Sequence, residues 1–323
     1  MKKMDMYQKR KARKEMKNNE NKEEMQNQMN INWYPGHMAK TKRQIIEDMK
    51  LVDVVIELLD ARIPKSSQNP DIQGMLKNKK KIVILNKSDL ADEKETKKWI
   101  EYFKKKNILA IDVDSNQGKG IKQVSQAIEK IMEDELKIQN SKGRIRKTIR
   151  VMIVGIPNVG KSTFINSFAG KACAKTGNKP GVTKGKQWIR LNKGLELLDT
   201  PGILWPKFED QAVGERLALI GSMNDEILNR EEMALSLLVF IGENYPEALE
   251  KRYQLTLDTA GADGDAQASL HSALALLEAV CKSRGCLKKG GEPEYEKGAA
   301  LVLDDFRSGR LGRMTLELPK KEA

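Results

Sequence analysis

The sequence predicts an α/β fold, a mostly parallel sheet covered by helices and followed by an all-α C-terminal domain, on three observations. Short β-branched runs alternate with stretches of helical spacing from Trp33 to about Pro206, a turn-forming Asn192-Lys193-Gly194 separates two further apolar runs, and beyond Pro206 the strand pattern stops. The first runs are Val52 to Leu59, Lys81 to Leu85, Ile108 to Val113 and Thr148 to Val154, each followed by a loop and then by helical periodicity. That rhythm belongs to parallel strands covered on both faces. Gln187 to Leu191 and Leu195 to Leu198 make an antiparallel hairpin on the sheet edge. Residues 211–250 and 267–308 repeat apolar positions at helical spacing, for example Leu270, Leu274, Leu277 and Cys281, with a Gly/Asp loop at Gly261 to Asp265 between them.

Three units follow: a basic tail over 1–30, an α/β domain over 31–206 and a helical domain over 211–319. The tail is nearly devoid of aliphatic residues, so it cannot bury enough surface to offset chain entropy. The chain carries 58 Lys and Arg against 45 Asp and Glu, and this net charge of +13 favours a polyanionic partner, with solubility alone as the plainer reading. Cys173, Cys281 and Cys286 lack CxxC spacing, and His37 and His271 are the only histidines, which argues against a disulfide framework and a zinc site. No apolar run approaches the ~20 residues of a membrane span. The start of the chain shows neither a signal peptide nor an acid-poor transit peptide, so the expected location is the cytoplasm, without a membrane anchor.

Gly155-Ile156-Pro157-Asn158-Val159-Gly160-Lys161-Ser162 matches GxxxxGK[ST] and sits after an apolar strand and before a helical stretch, where that motif must sit. Asn158, Val159, Gly160, Lys161, Ser162 and Thr163 are its candidate nucleotide contacts. Backbone N–H groups point at phosphates, Lys161 neutralises the β and γ groups, and Ser162 is placed to ligate Mg²⁺. Asp199-Thr200-Pro201-Gly202 follows the hairpin, putting Asp199 near the Mg²⁺, directly or through water, and the Gly202 N–H at the γ-phosphate. Between them Pro180-Gly181-Val182-Thr183 supplies Thr183 as the switch threonine that joins the Mg²⁺ shell in the triphosphate state.

Asn86-Lys87-Ser88-Asp89 follows the strand at 81–85. Asp89 offers two acceptors to the N1–H and N2 amino group of guanine, which adenine cannot match, so GTP is favoured over ATP. Lys87 would lay its stem along the base, Asn86 would tie loops together, and the backbone N–H groups of Ser115 and Asn116 would support O6. The order is informative, because the base-reading motif precedes the P-loop, the reverse of an ordinary small GTPase. A site assembled from loops at one edge of a parallel sheet survives such a permutation.

With these motifs in this order, the sequence resembles the circularly permuted GTPases of the ribosome biogenesis GTPase A type, from about residue 31 to 319. The likeness includes Trp33-Tyr34-Pro35-Gly36-His37-Met38, Asp60-Ala61-Arg62-Ile63-Pro64 and Asp305-Phe306-Arg307-Ser308-Gly309-Arg310-Leu311-Gly312. The resemblance implies a P-loop GTPase fold and GTP hydrolysis coupled to late assembly of the bacterial large ribosomal subunit, with rRNA contacts and stimulation by that subunit. The basic tail is an extension it does not explain. Ile203 and Leu204 stand where many GTPases carry a water-orienting glutamine, a replacement for which the family is known. Catalysis is then expected from another residue, a bound cation or the partner; His37 is the candidate residue, with a packed turn histidine as the alternative. Asn158 resembles an asparagine that helps bind K⁺ in related GTPases, and it is equally a turn former.

Lys142, Arg144, Arg146, Lys147 and Arg150, then Lys175, Lys179, Lys184 and Lys186, then Arg307, Arg310 and Arg313 read together as an extended phosphate-binding face. The competing function is a nucleotide-gated RNA-binding regulator not tied to ribosome assembly. His271 and the cysteines read as plain surface or core, and Tyr295 and Phe306 as helix-packing residues.

Overall fold

A computed structural model of the chain describes residues 36–76, 79–141, 148–170, 187–192, 194–205, 208, 210–224, 228–255 and 266–319. Six strands form one sheet: β1 (Val54–Asp60), β2 (Lys80–Asn86), β3 (Leu109–Val113), β4 (Ile149–Gly155), β5 (Gln187–Asn192) and β6 (Leu195–Asp199). Their order is β3-β2-β1-β4-β6-β5, with every pair parallel except the β5–β6 hairpin at the edge. The predicted sheet and edge hairpin are therefore present.

Alternation along the strands explains how both faces are covered. Val54, Ile56 and Leu58 face one side with Val151, Ile153 and Leu197, under α4 (Ile121–Ser141) and α5 (Lys161–Ala169). Val55, Met152, Val154 and Leu198 face the other side and meet Ile45 of α1 (Gly36–Asp48) and Ile72 of α2 (Pro70–Met75). Leu59, Val83, Leu85 and Ala110 complete that second side under Trp99 and Phe103 of α3 (Glu93–Lys105), whose N-terminus is capped by the Asp92 carboxylate.

Beyond the sheet lie α6 (Gln211–Leu219), α7 (Arg230–Asn244), α8 (Pro246–Tyr253), α9 (Ala266–Arg284) and α10 (Tyr295–Arg307). Their buried residues, among them Leu237, Leu249, Val302 and Phe306, join the first sheet face in one continuous core. In α9 the buried stripe is Ala273, Leu277, Val280 and Cys281, while Leu274 is 42% exposed. Of the predicted stripe, Leu277 and Cys281 are buried, and Ala273 takes the place expected of Leu274. Leu270 and His271 lie outside the residues whose side chains are described, and the loop Gly261 to Asp265 and Cys173 lie outside the described residues. Cys281 and Cys286 are buried, Phe306 is core and Tyr295 packs against it, as expected. No helix among the described residues is long and apolar enough to cross a membrane.

Candidate nucleotide-binding site

Register places the site. Asp60 of β1 pairs with Asn86 of β2, Asn86 with Val113 of β3, and Leu58 with Gly155 of β4, so four strands deliver their C-terminal loops to one edge. Connections leave β1 toward β2 and β3, and the chain returns at β4 on the other side of β1. The crevice at such a reversal of strand order is where open α/β sheets bind ligands.

The loop after β4 wraps tightly. Asn158 is left-handed at φ 58° and Gly160 at φ 93°, and a Cβ on Gly160 would stand 2.5 Å from Asn86 Nδ2, so only glycine lets the base-reading and phosphate loops approach this closely. Asn86 Nδ2 donates to Val159 O at 2.8 Å, and Ser115 Oγ donates to Asn86 Oδ1 at 2.5 Å, so Asn86 ties three loops together as its motif implied. Lys87 Nζ donates to Asn158 O at 2.7 Å. The Asn158 amide donates to Gly221 O at 2.6 Å, which ties the phosphate loop to the segment after α6. Gly202 rests on the same loop, because a Cβ there would meet Pro157 N at 2.8 Å and Lys161 Nζ at 2.9 Å.

Lys161, Ser162 and Thr163 open α5. Lys161 is buried, and loss of water lowers its ammonium pKa to about 8, although the nearby Asp199 carboxylate opposes the shift. Burial in turn raises the Asp199 carboxyl, with Lys161 opposing. Asp199 Oδ1 is buried without a hydrogen-bond partner among the described residues. An orphaned carboxylate oxygen beside the first turn of α5 fits a divalent cation's hydration shell, with Ser162 as the second donor. Thr183 and the Pro180 to Val182 turn lie outside the described residues, as do Lys142 to Lys147 and Lys175 to Lys186. His37 is the second residue of α1, and its side chain is also outside the described set.

Asp89 Oδ1 is likewise buried and unpartnered among the described residues, as a guanine-reading acceptor would be. Burial raises its carboxyl pKa, and the Asp114 carboxylate adds to the rise. Guanine needs the ionised form, so affinity should be full above the pKa of the free site and fall as pH drops through it. We therefore expect GDP affinity, measured by calorimetry from neutral into acid pH, to decline for wild type and to be flat for Asp89→Asn, which also binds xanthine nucleotide and starts at least about tenfold weaker for GDP. An unchanged GDP affinity in the variant would remove Asp89 from the site.

One expectation is corrected and a second gains detail. The Asn116 N–H, expected at guanine O6, donates instead to Asp114 Oδ1 at 2.9 Å, because Asp114 closes the turn by capping residues 116 and 117. Arg307, Arg310 and Arg313, expected on a phosphate-binding face, have partners within the chain, and Arg310 and Arg313 stay 46% and 52% exposed. Arg307 donates to Leu219 O and Ala218 O, Arg310 pairs with Asp304 and Asp305, and Arg313 donates to Asp89 O. Ile203 and Leu204 are core residues, 2% and 1% exposed, so in this arrangement they face apolar neighbours and not a water.

What the sequence reading missed is the C-terminal segment. Met314 N donates to Leu90 O, Leu316 N to Arg62 O and Trp99 Nε1 to Glu317 O, while the Glu317 carboxylate accepts from Lys65 N, Ser66 N and Ser66 Oγ. Its extended course past α10 left no periodicity to read.

Residues 150–260 match the family model described as "50S ribosome-binding GTPase". Ribosome biogenesis GTPase A of Bacillus cereus is 48% identical over 293 residues, spanning 91% of this chain and 95% of that one, and its Thermotoga maritima counterpart is 33% identical over 90% and 95%. The chain belongs to the ribosome biogenesis GTPase A family. Among solved structures, GNP-bound YlqF from T. maritima matches with a TM-score of 0.58 at 30% identity, over 88% of this chain and all of that one, and the GDP-bound form with 0.57. This family member is thus a circularly permuted P-loop GTPase with a helical C-terminal part, and its base-reading and phosphate loops meet as that order requires.

Proposed function

We propose that the chain hydrolyses GTP during late assembly of the large ribosomal subunit and contacts rRNA while doing so. The observation that carries this reading is that the helical region is bonded to both nucleotide loops, through Arg313 to Asp89 O and through Gly221 O to Asn158. A change in either loop is therefore felt by the helices. The printed descriptions of the family model and relatives, a 50S ribosome-binding GTPase and ribosome biogenesis GTPases, supply the partner.

In this reading 31–206 forms the nucleotide domain and 211–319 the helical one. Ser162 and Thr183 would hold Mg²⁺, with Asp199 contributing directly or through water, and the ion would neutralise charge on the phosphates. Lys161 and backbone N–H groups of the P-loop orient the phosphates, and Asp89 selects guanine. With Ile203 and Leu204 buried, no side chain directly after Gly202 orients a water, so His37 or the ribosomal partner supplies that role. The buried pair also favours a second reading, a nucleotide-gated RNA-binding regulator whose own hydrolysis is incidental. Turnover assayed with and without purified large subunits separates them: stimulation of at least about 10²-fold, the range of one positioned acid–base group, is expected. An unstimulated rate would favour the regulator.

A further inference from the structure

Asp60, the last residue of β1, and Arg62 just beyond it form a charged pair with no part in the nucleotide chemistry above, yet both are sealed from solvent, at 0% and 1% exposed. Arg62 grips Asp60 with a fork, Nε to Oδ1 at 2.9 Å and Nη2 to Oδ2 at 2.8 Å, and its backbone N–H adds a third bond to Oδ1 at 3.1 Å. Asp60 Oδ2 also lies 3.3 Å from Lys87 Nζ. Strand register explains the meeting: Asp60 and Asn86 are partners across β1 and β2, so the residue after Asn86 emerges beside the Asp60 carboxylate. Lys87 itself is left-handed at φ 57°, a conformation that a long side chain adopts only where its surroundings hold it there.

A buried ion pair is a poor stabiliser, because desolvation offsets most of its attraction and apolar replacements are often as stable. Arg62 spends Nε and Nη2 on Asp60 and leaves Nη1 buried without a hydrogen-bond partner among the described residues, and Lys87 is a third member that neither partner needs for charge balance. Lys87 has two carboxylates acting on it, Asp60 from β1 and Asp89 from its own loop, with Arg62 as the opposing cation. Burial would raise the Asp60 carboxyl, but Arg62 and then Lys87 overrule it and hold it ionised, well below the usual carboxylate range. If Asp60 were neutral, the remaining carboxylate acting on the ammonium would be Asp89, whose buried Oδ1 is the atom guanine needs.

We infer that Asp60, oriented by the Arg62 fork, is a positioning residue for guanine nucleotide: it holds the Lys87 ammonium on the Asn158 carbonyl and away from Asp89. The inference rests on the reading of Lys87 and Asp89 as base contacts. Arg62 is itself held from the far end of the chain, by the Phe306 ring at 5.2 Å from its guanidinium carbon and by Leu316 N, which donates to Arg62 O at 2.8 Å. The last helix and the C-terminal segment therefore support the base site through this pair.

The test is a double-mutant cycle on GDP affinity in the full chain, by calorimetry, with folding checked by circular dichroism. Asp60→Asn is expected to weaken GDP by at least about tenfold in the wild-type background, the size of one charge-assisted contact, and to add nothing in a Lys87→Met background. Equal losses in the two backgrounds, or wild-type affinity in Asp60→Asn, would overturn the inference while leaving the base-site reading intact. If Lys87→Met alone binds GDP as wild type does, that reading fails and the inference with it. Should Asp60→Asn not fold, Arg62→Lys enters the same cycle, since it keeps the charge and loses the fork, and the same outcomes decide.

Discussion

Replacing Lys161 by alanine is expected to abolish tight GTP binding without weakening the fold. A buried ammonium at the N-terminus of a helix is badly placed on its own, because desolvation and the helix dipole both disfavour the charge. Lys161 stands there at 8% exposed in the first turn of α5, with its pKa depressed to about 8 and Asp199 as the compensating charge. The arrangement makes sense once β- and γ-phosphates supply the missing anions. Truncating one partner of a desolvated charge pair costs about 2–5 kcal/mol, which corresponds to roughly 30- to 4,000-fold in Kd. GDP should lose less than GTP, because the γ-phosphate contact is absent from it. The thermal midpoint of the protein without nucleotide should stay level or rise, since a strained charge has been removed. Titration of both nucleotides, paired with a melting curve, checks the two halves. Wild-type GTP affinity in Lys161→Ala would take this lysine out of the phosphate site.

Much of this was legible before any coordinates. β1, β2 and β4 read as near-continuous apolar runs because parallel strands are covered on both faces, and the phosphate-loop glycines are dictated by close approach, Gly155 to Leu58 O and Gly160 to Asn86. Side-chain commitments were not legible. Whether Arg310 meets RNA or Asp304 depends on which charges the tertiary fold brings near, and spacing does not encode that. Asn116 was misassigned for a related reason: its N–H belongs to an Asp114 cap that exists only once the turn closes. Asp60 and Arg62 did leave a trace, two opposite charges directly after a buried strand, but their meeting with Lys87 required the β1–β2 register.

The engagement of Arg307, Arg310 and Arg313 sharpens the last expectation, that the GTP-bound protein binds large ribosomal subunits or their precursors more tightly than the GDP-bound one. γ-Phosphate would order Thr183 and Gly202, and Gly202 already rests against Pro157 and Lys161, in the loop whose Asn158 is tied to Gly221 ahead of the helices. Contact with RNA would rest first on the basic tail and on the clusters at 142–150 and 175–186, with the half-exposed Arg310 and Arg313 adding charge that is already shared with Asp304, Asp305 and Glu93. A face neutralising about six phosphates loses roughly 10³-fold in affinity between about 50 and 200 mM salt. Sedimentation with a non-hydrolysable GTP analogue, with GDP and without nucleotide, across a salt series, measures both the state preference and the slope. Replacing Lys142, Arg144, Arg146 and Lys147 by glutamate should flatten that slope, and Arg310→Ala, which removes a charge already shared with Asp304 and Asp305, should change it less. Equal pelleting in all three states would defeat the switch even if RNA is bound, and a failure to pellet in any state would remove the ribosomal subunit as partner and leave the nucleotide-gated regulator in its place.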